Sequence, residues 1–359
     1  MEELTHNYIQ RFPEFKEFYR SIGSLNLSSV GFGTYLGEMN EKDDKQFIES
    51  IVFSAMNGCN LFDSAINYRA QRSERNIGEA LMQLRREGFQ REEFVLCSKA
   101  GYIPFDSSEP DAPNQFVQET FIDSGIVAKE DISEWNILTK KFIDNQFNQS
   151  LKNLNTHYLD IFYIHNPEAQ LLSFEKKYFL EKVQEVFELL EEKVKEQKLK
   201  YYGIASWDGF RVNESDTNFH SLIDFIKIAE KVGGKDHHFK VIQLPFNLSM
   251  LEAMYMKNHE IKGEHLTILE AAKHFGINVI SSVGIMQGHL ASSFPSDIKA
   301  KFGSLTNAQA SLQFNRSNPS ISSSLVGMKS LEHAKENLEL RHTAPLNETE
   351  FEEIKQMIG

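Results

Sequence analysis

Short apolar runs alternate with longer amphipathic stretches along most of the chain. The short runs, such as VGFGT, FVLCSKA and YLDIFYIH, have the length and composition of buried β-strands. The longer stretches carry apolar residues at three- and four-residue spacing, which is typical of helices with one buried face. The clearest of them covers residues 179–197, where an apolar stripe lies opposite Glu and Lys side chains. The alternation therefore predicts repeated strand–helix units.

Eight such units follow one another between residues 25 and 340. The predicted strands are VGFGT, NLFDS, FVLCSKA, YLDIFYIH, YYGIAS, VIQLPFN, INVISSV and SSLVGM. The predicted helices cover residues 43–57, 74–86, 140–154, 179–197, 221–232, 267–275, 307–314 and 331–340. An eightfold alternation of strand and helix predicts an α/β fold, a single (β/α)8 TIM barrel whose active face is built from the loops that follow the strands.

Two segments depart from the repeat. Residues 1–22 are predicted to form an N-terminal extension, with a helix that packs on a barrel domain of residues 23–359. Residues 102–136 form a long insertion after the third strand, rich in proline, acidic and aromatic residues. Structureless loops beyond about 15 residues are usually lids, binding loops or disordered segments. We interpret the insertion as a lid at the carboxyl face of the barrel, with an inert insertion as the alternative.

Composition and charge narrow the class of protein. The 359 residues carry a formal net charge of −13, and the clustered Lys and Arg residues of a nucleic-acid-binding surface do not appear. The two cysteines suit a reducing compartment. No stretch approaches the ~20 apolar residues of a membrane span, and His, Cys and Glu lack metal-ligand spacing. We expect a cytoplasmic monomer or small homo-oligomer without a nucleic-acid partner, membrane partner or metal.

Four polar side chains stand at or just after the ends of predicted strands. Asp63 ends the second strand and is followed by Tyr68, Lys99 leaves the third strand, and His165 leaves the fourth. In parallel α/β proteins the carboxyl ends of the strands face the ligand. Each residue alone is more often structural or solvated. Only their joint placement therefore indicates a catalytic site.

Carbonyl reduction needs these four residue types. The carbonyl oxygen gains negative charge as the carbon accepts a hydride, so Tyr68 is the candidate proton donor. An ammonium group at Lys99 would favour the phenolate and lower the pKa of Tyr68. Asp63 would keep Lys99 charged and oriented, and His165 would polarise the carbonyl oxygen. The set predicts carbonyl reduction or alcohol oxidation.

The chain resembles the aldo-keto reductase superfamily. The motifs GFGT, FDSAINY, SKAG, DIFYIHNP, KYYGIAS, QLPFN and VGMKSLEHAKENL occur in the order found in that family. The resemblance implies that Asp63, Tyr68, Lys99 and His165 form the catalytic tetrad, with Tyr68 as general acid and base. It also implies NADPH or NADH as cofactor, bound without a Rossmann fold. The Rossmann fingerprint is incomplete, because Leu36 stands where the third glycine should be.

The resemblance further implies a set of cofactor-binding residues. They are Gly33, Thr34, Asp63, Ser206, Gln243, Ser281, Gly288, Lys329, His333, Glu336 and Asn337. Ser206 and Gln243 would bind the nicotinamide carboxamide, although Ala205-Ser206 replaces the usual Ser-Asn pair. Ser281 matches a tyrosine that commonly lies under the nicotinamide ring.

A lysine near the expected 2′-phosphate favours NADP over NAD. This residue is Lys329, but His333 stands where the family usually has an arginine, which grips phosphate better. Tyr35, Trp135 and Trp207 are candidates to line the substrate pocket.

These observations predict an NAD(P)-dependent oxidoreductase that interconverts an aldehyde or ketone and an alcohol. Two alternatives stay open. In the first alternative, the chain would be a nucleotide-binding regulatory subunit of a larger complex and would show little turnover. The potassium-channel β subunits, which it resembles, are subunits of this kind. The other alternative is a dehydrogenase of sugars or other alcohols that works in the oxidative direction, which a preference for NAD would favour.

Overall fold

Eight parallel strands close into a barrel in the computed structural model, which describes residues 4–358. The strands are β1 (Val30–Gly33), β2 (Leu61–Asp63), β3 (Val95–Ala100), β4 (Leu159–His165), β5 (Leu199–Ala205), β6 (Phe239–Pro245), β7 (Asn278–Ser282) and β8 (Ile321–Gly327). Strand β8 pairs with β1, where Val326 lies opposite Phe32. This pairing closes the sheet and leaves it without an edge. The predicted (β/α)8 barrel is confirmed.

A main helix follows each strand and packs on the outside of the barrel. These helices are α1 (Glu41–Met56), α2 (Arg72–Arg86), α3 (Lys140–Asn153), α4 (Lys176–Lys195), α5 (Leu222–Gly233), α6 (Ile268–His274), α7 (Asn307–Ser317) and α8 (Leu331–Leu338). Capping residues set several of the starts. The hydroxyls of Thr267 and Thr306 accept backbone N–H groups at the first turns of α6 and α7. Helix α4 begins at Lys176, before the predicted residue 179. The prediction missed this first part of the helix because these residues show no apolar periodicity.

Shorter elements fill the connections. They comprise the α-helices Leu4–Gln10, Pro113–Val117, Glu252–Tyr255, His289–Ser292, Ser296–Lys299 and Glu348–Ile358, the π-helix Gln118–Ile122, and the 3-10 helices Pro13–Phe18, Arg91–Glu93, Lys129–Asp131, Pro167–Leu172, Met286–Gly288, Ala300–Phe302 and Glu339–His342. Three antiparallel strand pairs are Tyr19–Ile22 with Leu25–Ser28, Ile132–Ser133 with Asn136–Ile137, and His259–Ile261 with Glu264–Leu266. No helix within residues 4–358 combines the length and apolar character needed to cross a membrane.

The barrel strands are buried on both faces, which explains their continuous apolar runs. On β3, Val95 and Cys97 belong to a cluster inside the barrel, whereas Leu96 packs with the outer helices. The hairpin Tyr19–Ser28 adds Leu25 and Leu27 to the interior cluster. The hairpin therefore packs against the barrel interior at its amino-terminal end, and ligands have access from the carboxyl end.

The N-terminal segment is docked on the barrel. Tyr8 is fully buried, and its hydroxyl lies within hydrogen-bond distance of the carbonyl oxygens of Ala55 (2.5 Å) and Cys59 (3.0 Å). Residues 1–3 of the predicted extension lie outside the described residues. The division of the chain at residue 22 stays a prediction, and the hairpin Tyr19–Ser28 spans it.

The insertion at residues 102–136 is ordered by aromatic contacts. The rings of Phe105 and Phe116 lie 5.6 Å apart, those of Phe116 and Phe121 lie 6.1 Å apart, and Phe121 contacts Phe142 of α3 at 5.7 Å. Each pair has the edge-to-face geometry that aromatic rings favour. The insertion therefore has its own small core beside α3, and its role as a lid stays a prediction.

Replacing Tyr8 with Phe tests the docking of the N-terminal helix. The change removes one hydroxyl and leaves two buried carbonyl groups without it, so we expect the free energy of unfolding to fall by about 1–2 kcal/mol. Chemical denaturation measures the difference. Tyr178→Phe is the matched control, since Tyr178 is exposed and should change stability little. Equal stability of the Tyr8→Phe variant and the wild type would mean that this helix is not docked as described.

Candidate active site

A cavity of about 690 Å³ opens at the carboxyl ends of the strands. The predicted site residues that line it are Gly33, Thr34, Tyr35, Asp63, Tyr68, His165, Ser206, Trp207, Gln243, Gly288 and His333. They come from several different strands and loops, so only the closed barrel brings them together.

Lys99 and Asp63 form a buried ion pair, of which Asp63 lines the cavity and Lys99 does not. The ammonium group of Lys99 donates to Asp63 Oδ1 and, at 2.7 Å, to the carbonyl oxygen of Ser64. Strands β2 and β3 are neighbours, with Asp63 opposite Cys97. Burial disfavours the ammonium, but Asp63 together with smaller contributions from Tyr68 and Cys97 outweighs burial and raises the pKa of Lys99. Lys99 therefore stays charged.

Gln243 supports the other carboxylate oxygen. Its Nε2 donates to Asp63 Oδ2 at 2.9 Å from the end of β6, nearly opposite β2 in the barrel. The Asp63 carboxylate thus receives hydrogen bonds on both oxygens. This fixes its orientation and lowers the cost of keeping a charge in the barrel interior.

Tyr68 lies beside this ion pair. The ammonium nitrogen of Lys99 is 5.0 Å from the centroid of the Tyr68 ring. Protein atoms surround the phenol closely while part of the ring stays open to the cavity, and burial raises the pKa of Tyr68 above its ordinary value. Lys99 lowers this pKa, as the sequence predicted, but by less than burial raises it. The sequence alone did not reveal that burial would dominate.

A strained segment after Tyr68 holds this loop in place. Arg69, Ala70 and Gln71 all have left-handed backbone conformations, with φ of 49°, 51° and 69°. Arg69 donates to the carbonyl oxygen of Glu38, at 2.7 and 3.0 Å, and to Asp44 Oδ1 at 2.7 Å. Non-glycine residues in this conformation persist only where the surroundings enforce it. The arginine contacts provide that enforcement.

His165 completes the group. Its ring centroid lies 5.7 Å from that of Tyr68 and 5.2 Å from that of Tyr102, both edge-to-face. Its carbonyl oxygen accepts from Asn136 Nδ2 at 2.9 Å, which joins the insertion to the end of β4. Burial, with a smaller contribution from the Lys99 charge, lowers the pKa of His165 to about 3. His165 is therefore neutral near pH 7 and has one N–H to donate.

Comparison with known proteins identifies the family of the chain. The model of the aldo/keto reductase family matches residues 29–306. The chain belongs to the aldo/keto reductase family. The oxidoreductase YqkF of Bacillus subtilis is 21% identical over 94% of this chain and 95% of that protein. An NADH-dependent D-xylose reductase of Candida parapsilosis is 39% identical, but over 22% of this chain and 28% of its own length.

Other relatives are named for potassium-channel β subunits. One from Schizosaccharomyces pombe is 24% identical over 60% of this chain and 52% of that protein. The chain spans about half the length of the relatives of this kind that it matches, which include one from Arabidopsis thaliana.

Solved aldo/keto reductases share the fold. A Klebsiella pneumoniae enzyme in complex with NADP and acetate has a TM-score of 0.64 at 18% identity, covering 96% of this chain and 95% of that chain. The holo form of a Bacillus halodurans enzyme has a TM-score of 0.62 at 18% identity, covering 94% and 95%. Likeness at these identities establishes the fold alone.

Several predicted residues of this aldo/keto reductase do not line the cavity. Ser281 is fully buried, with its hydroxyl 3.5 Å from the carbonyl oxygen of Ser323, whereas the neighbouring Ser282 does line the cavity. Side chains alternate along a strand, so a shift of one position reverses the face. Trp135 is 42% exposed and packs against Phe105 in the insertion, away from the cavity.

Three further predicted cofactor-binding residues, Lys329, Glu336 and Asn337, are also outside the cavity lining, whereas His333 is part of it. Lys329 forms an ion pair with Asp43 at 2.7 Å, at the first turn of α1. The carbonyl oxygen of Glu336 accepts from Gln309 Nε2 at 2.6 Å, and the side chain of Asn337 is buried. A sequence pattern could not show that Asp43 engages Lys329, because the two residues are far apart in the chain.

Two cavity neighbours were not singled out from the sequence. Tyr102 lines the cavity beside His165, and Glu168 lies buried behind Ser206. The available signals were weak, since Tyr102 directly follows SKAG and Glu168 directly follows HNP. No group of three His, Cys, Asp or Glu side chains in residues 4–358 is arranged to hold a metal ion.

The cavity has features that suit a nicotinamide dinucleotide. It extends from Asp63 and Tyr68 past Gly284 and Gly288 to His333. A Cβ added at Gly327 would meet no protein atom within 4 Å and would enter open space at the end of β8. Glycine at such a place lets a ligand approach the backbone closely.

The neutral state of His165 predicts a pH effect on stability. Its pKa of about 3 in the folded protein lies below the ordinary value of 6.5, so the unfolded chain takes up a proton that the folded chain does not. Stability therefore falls as pH decreases from about 6.5 towards 3. Between pH 8 and pH 5 the wild type should lose about 2 kcal/mol more than His165→Gln. Urea denaturation at both pH values measures this, and equal losses would mean that His165 is not held neutral.

Proposed function

We propose that this aldo/keto reductase is a nicotinamide-dependent oxidoreductase that interconverts an aldehyde or ketone and an alcohol. The observation that carries the proposal is the buried ion pair of Lys99 and Asp63 beside Tyr68, with neutral His165 in contact with the same phenol ring. A bound nicotinamide supplies or accepts the hydride. The chain supplies the proton exchange and the environment for the carbonyl oxygen.

Each side chain of the tetrad has a separate role in this proposal. The Tyr68 hydroxyl gives its proton to the carbonyl oxygen in reduction and takes it back in oxidation. The Lys99 ammonium stabilises the phenolate that remains, and Asp63 holds the ammonium in place. The N–H of neutral His165 donates to the carbonyl oxygen and stabilises the negative charge that develops on it. These roles are the ones predicted from the sequence.

The cofactor preference for NADP rests on the solved relatives more than on the chain. Klebsiella pneumoniae enzymes of this fold were solved with NADP or NADPH. In this chain Lys329 is already paired with Asp43, which weakens the argument from that lysine. Because of these solved relatives, NADP stays the preferred cofactor, with NAD as the alternative.

The cavity favours an uncharged substrate with an apolar portion. Its lining within the described residues includes no Lys or Arg, which would be expected beside a substrate carboxylate. Tyr35 is 57% exposed and Trp207 is 41% exposed at the cavity, where they offer aromatic surface. We infer a neutral aldehyde or ketone. A cytoplasmic location and a monomeric or small homo-oligomeric state stay predictions.

A regulatory role is the second candidate, since relatives named for potassium-channel β subunits match part of the chain. In that case the cavity would bind the nucleotide while carbonyl turnover stays negligible. Binding and turnover measured on the same protein separate the two candidates.

Replacing Tyr68 with Phe tests the assignment of the acid. Loss of the hydroxyl removes the proton donor, so kcat for carbonyl reduction should fall by about 10²–10⁴-fold while the affinity for cofactor stays nearly unchanged. Steady-state kinetics and cofactor titration measure the two quantities. Tyr35→Phe is the matched control because it removes a phenol hydroxyl from the same cavity but not from the tetrad. Wild-type kcat in Tyr68→Phe would show that the assigned acid is wrong.

Titration with NADPH and NADH tests the cofactor. Binding of either should quench the protein fluorescence, since Trp207 lies on the cavity, and NADPH should bind more tightly. A panel of neutral aldehydes and ketones is then screened with the tighter cofactor. Turnover supports the enzyme, whereas tight binding without turnover supports the regulatory subunit. Absence of binding to both dinucleotides contradicts the proposed function.

A further inference from the structure

Glu168 is a buried carboxylate directly behind the cavity wall. It lies in the 3-10 helix Pro167–Leu172 after β4, and 8% of its surface is exposed. Its Oε1 accepts from Ser206 Oγ at 2.9 Å and from the backbone N–H groups of Trp207 and Asp208 at 2.7 and 3.1 Å. Three donors on one oxygen hold the turn after β5 in a single conformation. No step of the proposed reaction uses this carboxylate.

Glu168 is held in its charged form. His220 Nε2 lies 3.3 Å from Glu168 Oε2 and is itself buried. Burial disfavours the carboxylate, but hydrogen bonding and charge interaction with His220, together with the backbone N–H groups, outweigh burial and lower the pKa of Glu168. The Oε1 atom already accepts from two backbone N–H groups, so it carries no proton and can only accept from Ser206. The hydroxyl hydrogen of Ser206 must therefore point at Glu168.

The Ser206 hydroxyl therefore has only one hydrogen-bonding role left for a ligand in the cavity. Its oxygen already accepts from the N–H of Gly209 at 2.8 Å, and its hydrogen is engaged by Glu168. A hydroxyl has one hydrogen and two lone pairs. One lone pair remains, so Ser206 can accept a hydrogen bond from a ligand in the cavity but cannot donate one.

Gln243 also presents an acceptor to this part of the cavity, although one of its two N–H donors stays free among the described residues because Asp63 engages only the other. Its Nε2 donates to Asp63 Oδ2 at 2.9 Å, and Gln243 lines the cavity together with Ser206. The amide oxygen of Gln243 accepts no hydrogen bond within residues 4–358. Two acceptors therefore serve the same part of the cavity, and a ligand group with two N–H donors, such as a primary amide, complements them.

We propose that Glu168 is a positioning residue that fixes the Ser206 hydroxyl as a hydrogen-bond acceptor and so makes the cavity select a ligand carrying a primary amide. This inference rests on the proposed function, in which the amide is the carboxamide of the nicotinamide ring. Glu168 acts through Ser206 and does not touch the ligand. It determines whether the Ser206 hydroxyl accepts or donates the hydrogen bond to the ligand.

The test compares two ligands that differ in one group. NADP⁺ carries a carboxamide, and its 3-acetylpyridine analogue carries a methyl ketone, so only the first has N–H donors. Calorimetric titration gives the ratio of their dissociation constants. The wild type should prefer NADP⁺ by about tenfold, the size expected for one to two hydrogen bonds.

Glu168→Ala should reduce this preference to about twofold, because the released Ser206 hydrogen can turn to the cavity and donate to the ketone. Glu168→Gln should keep the wild-type ratio, since its amide oxygen accepts from the same three donors. A purely structural role for Glu168 would weaken both ligands together and leave the ratio unchanged.

Ser206→Ala provides the second arm. It should reduce the preference to about threefold, and adding Glu168→Ala should change the ratio no further, because the two residues act through one hydroxyl. Thermal melts establish that each variant is folded. If Glu168→Ala does not fold, the ratios of the two dissociation constants in the wild type and in Ser206→Ala decide the outcome.

Three results would overturn the inference. They are equal binding of both ligands by the wild type, an unchanged tenfold preference in folded Glu168→Ala, and an unchanged preference in Ser206→Ala. If the wild type bound neither dinucleotide, the proposed function would fail as well. Tight binding of both with equal affinity would contradict only the role of Glu168.

Discussion

The buried charge pair of Lys99 and Asp63 is the interaction on which the rest of the site depends. Both groups are removed from water inside the barrel, where an unpaired charge costs several kcal/mol by typical measures. The pair is tolerated because the Lys99 ammonium also contacts the Ser64 carbonyl oxygen, and because Asp63 also accepts from Gln243. These contacts come from β2, β3 and β6, so the closed barrel is a condition for the charges to coexist.

The charge pair sets the properties of its neighbours. Lys99 opposes the effect of burial on the pKa of Tyr68, and it adds to the effect of burial on the pKa of His165. One positive charge thus favours a phenolate at Tyr68 and a neutral imidazole at His165. An acid and a neutral hydrogen-bond donor beside one cavity are what carbonyl reduction requires. The environment of each group, and not its residue type alone, gives it a different task.

Much of the fold was accessible from the sequence, since apolar periodicity marks buried strands and amphipathic helices whatever their partners are. The positions of Asp63, Lys99 and His165 followed from the same argument, because strand ends in a barrel share one face. Ser281 is buried while Ser282 lines the cavity, because the face of a strand residue changes with a shift of one position. Trp135 packs within the insertion, and Lys329 engages Asp43. Neither contact leaves a local pattern in the sequence.

The coupling of Lys99 to Tyr68 is the central claim, and the titration of the Tyr68 phenol tests it most directly. Tyrosine labelled with ¹³C at Cζ reports ionisation by NMR, and the Tyr68→Phe spectrum identifies the resonance. Loss of the ammonium in Lys99→Met should move the Tyr68 transition to higher pH than in the wild type, because burial then acts without opposition. A transition at the same or a lower pH in Lys99→Met would contradict the account.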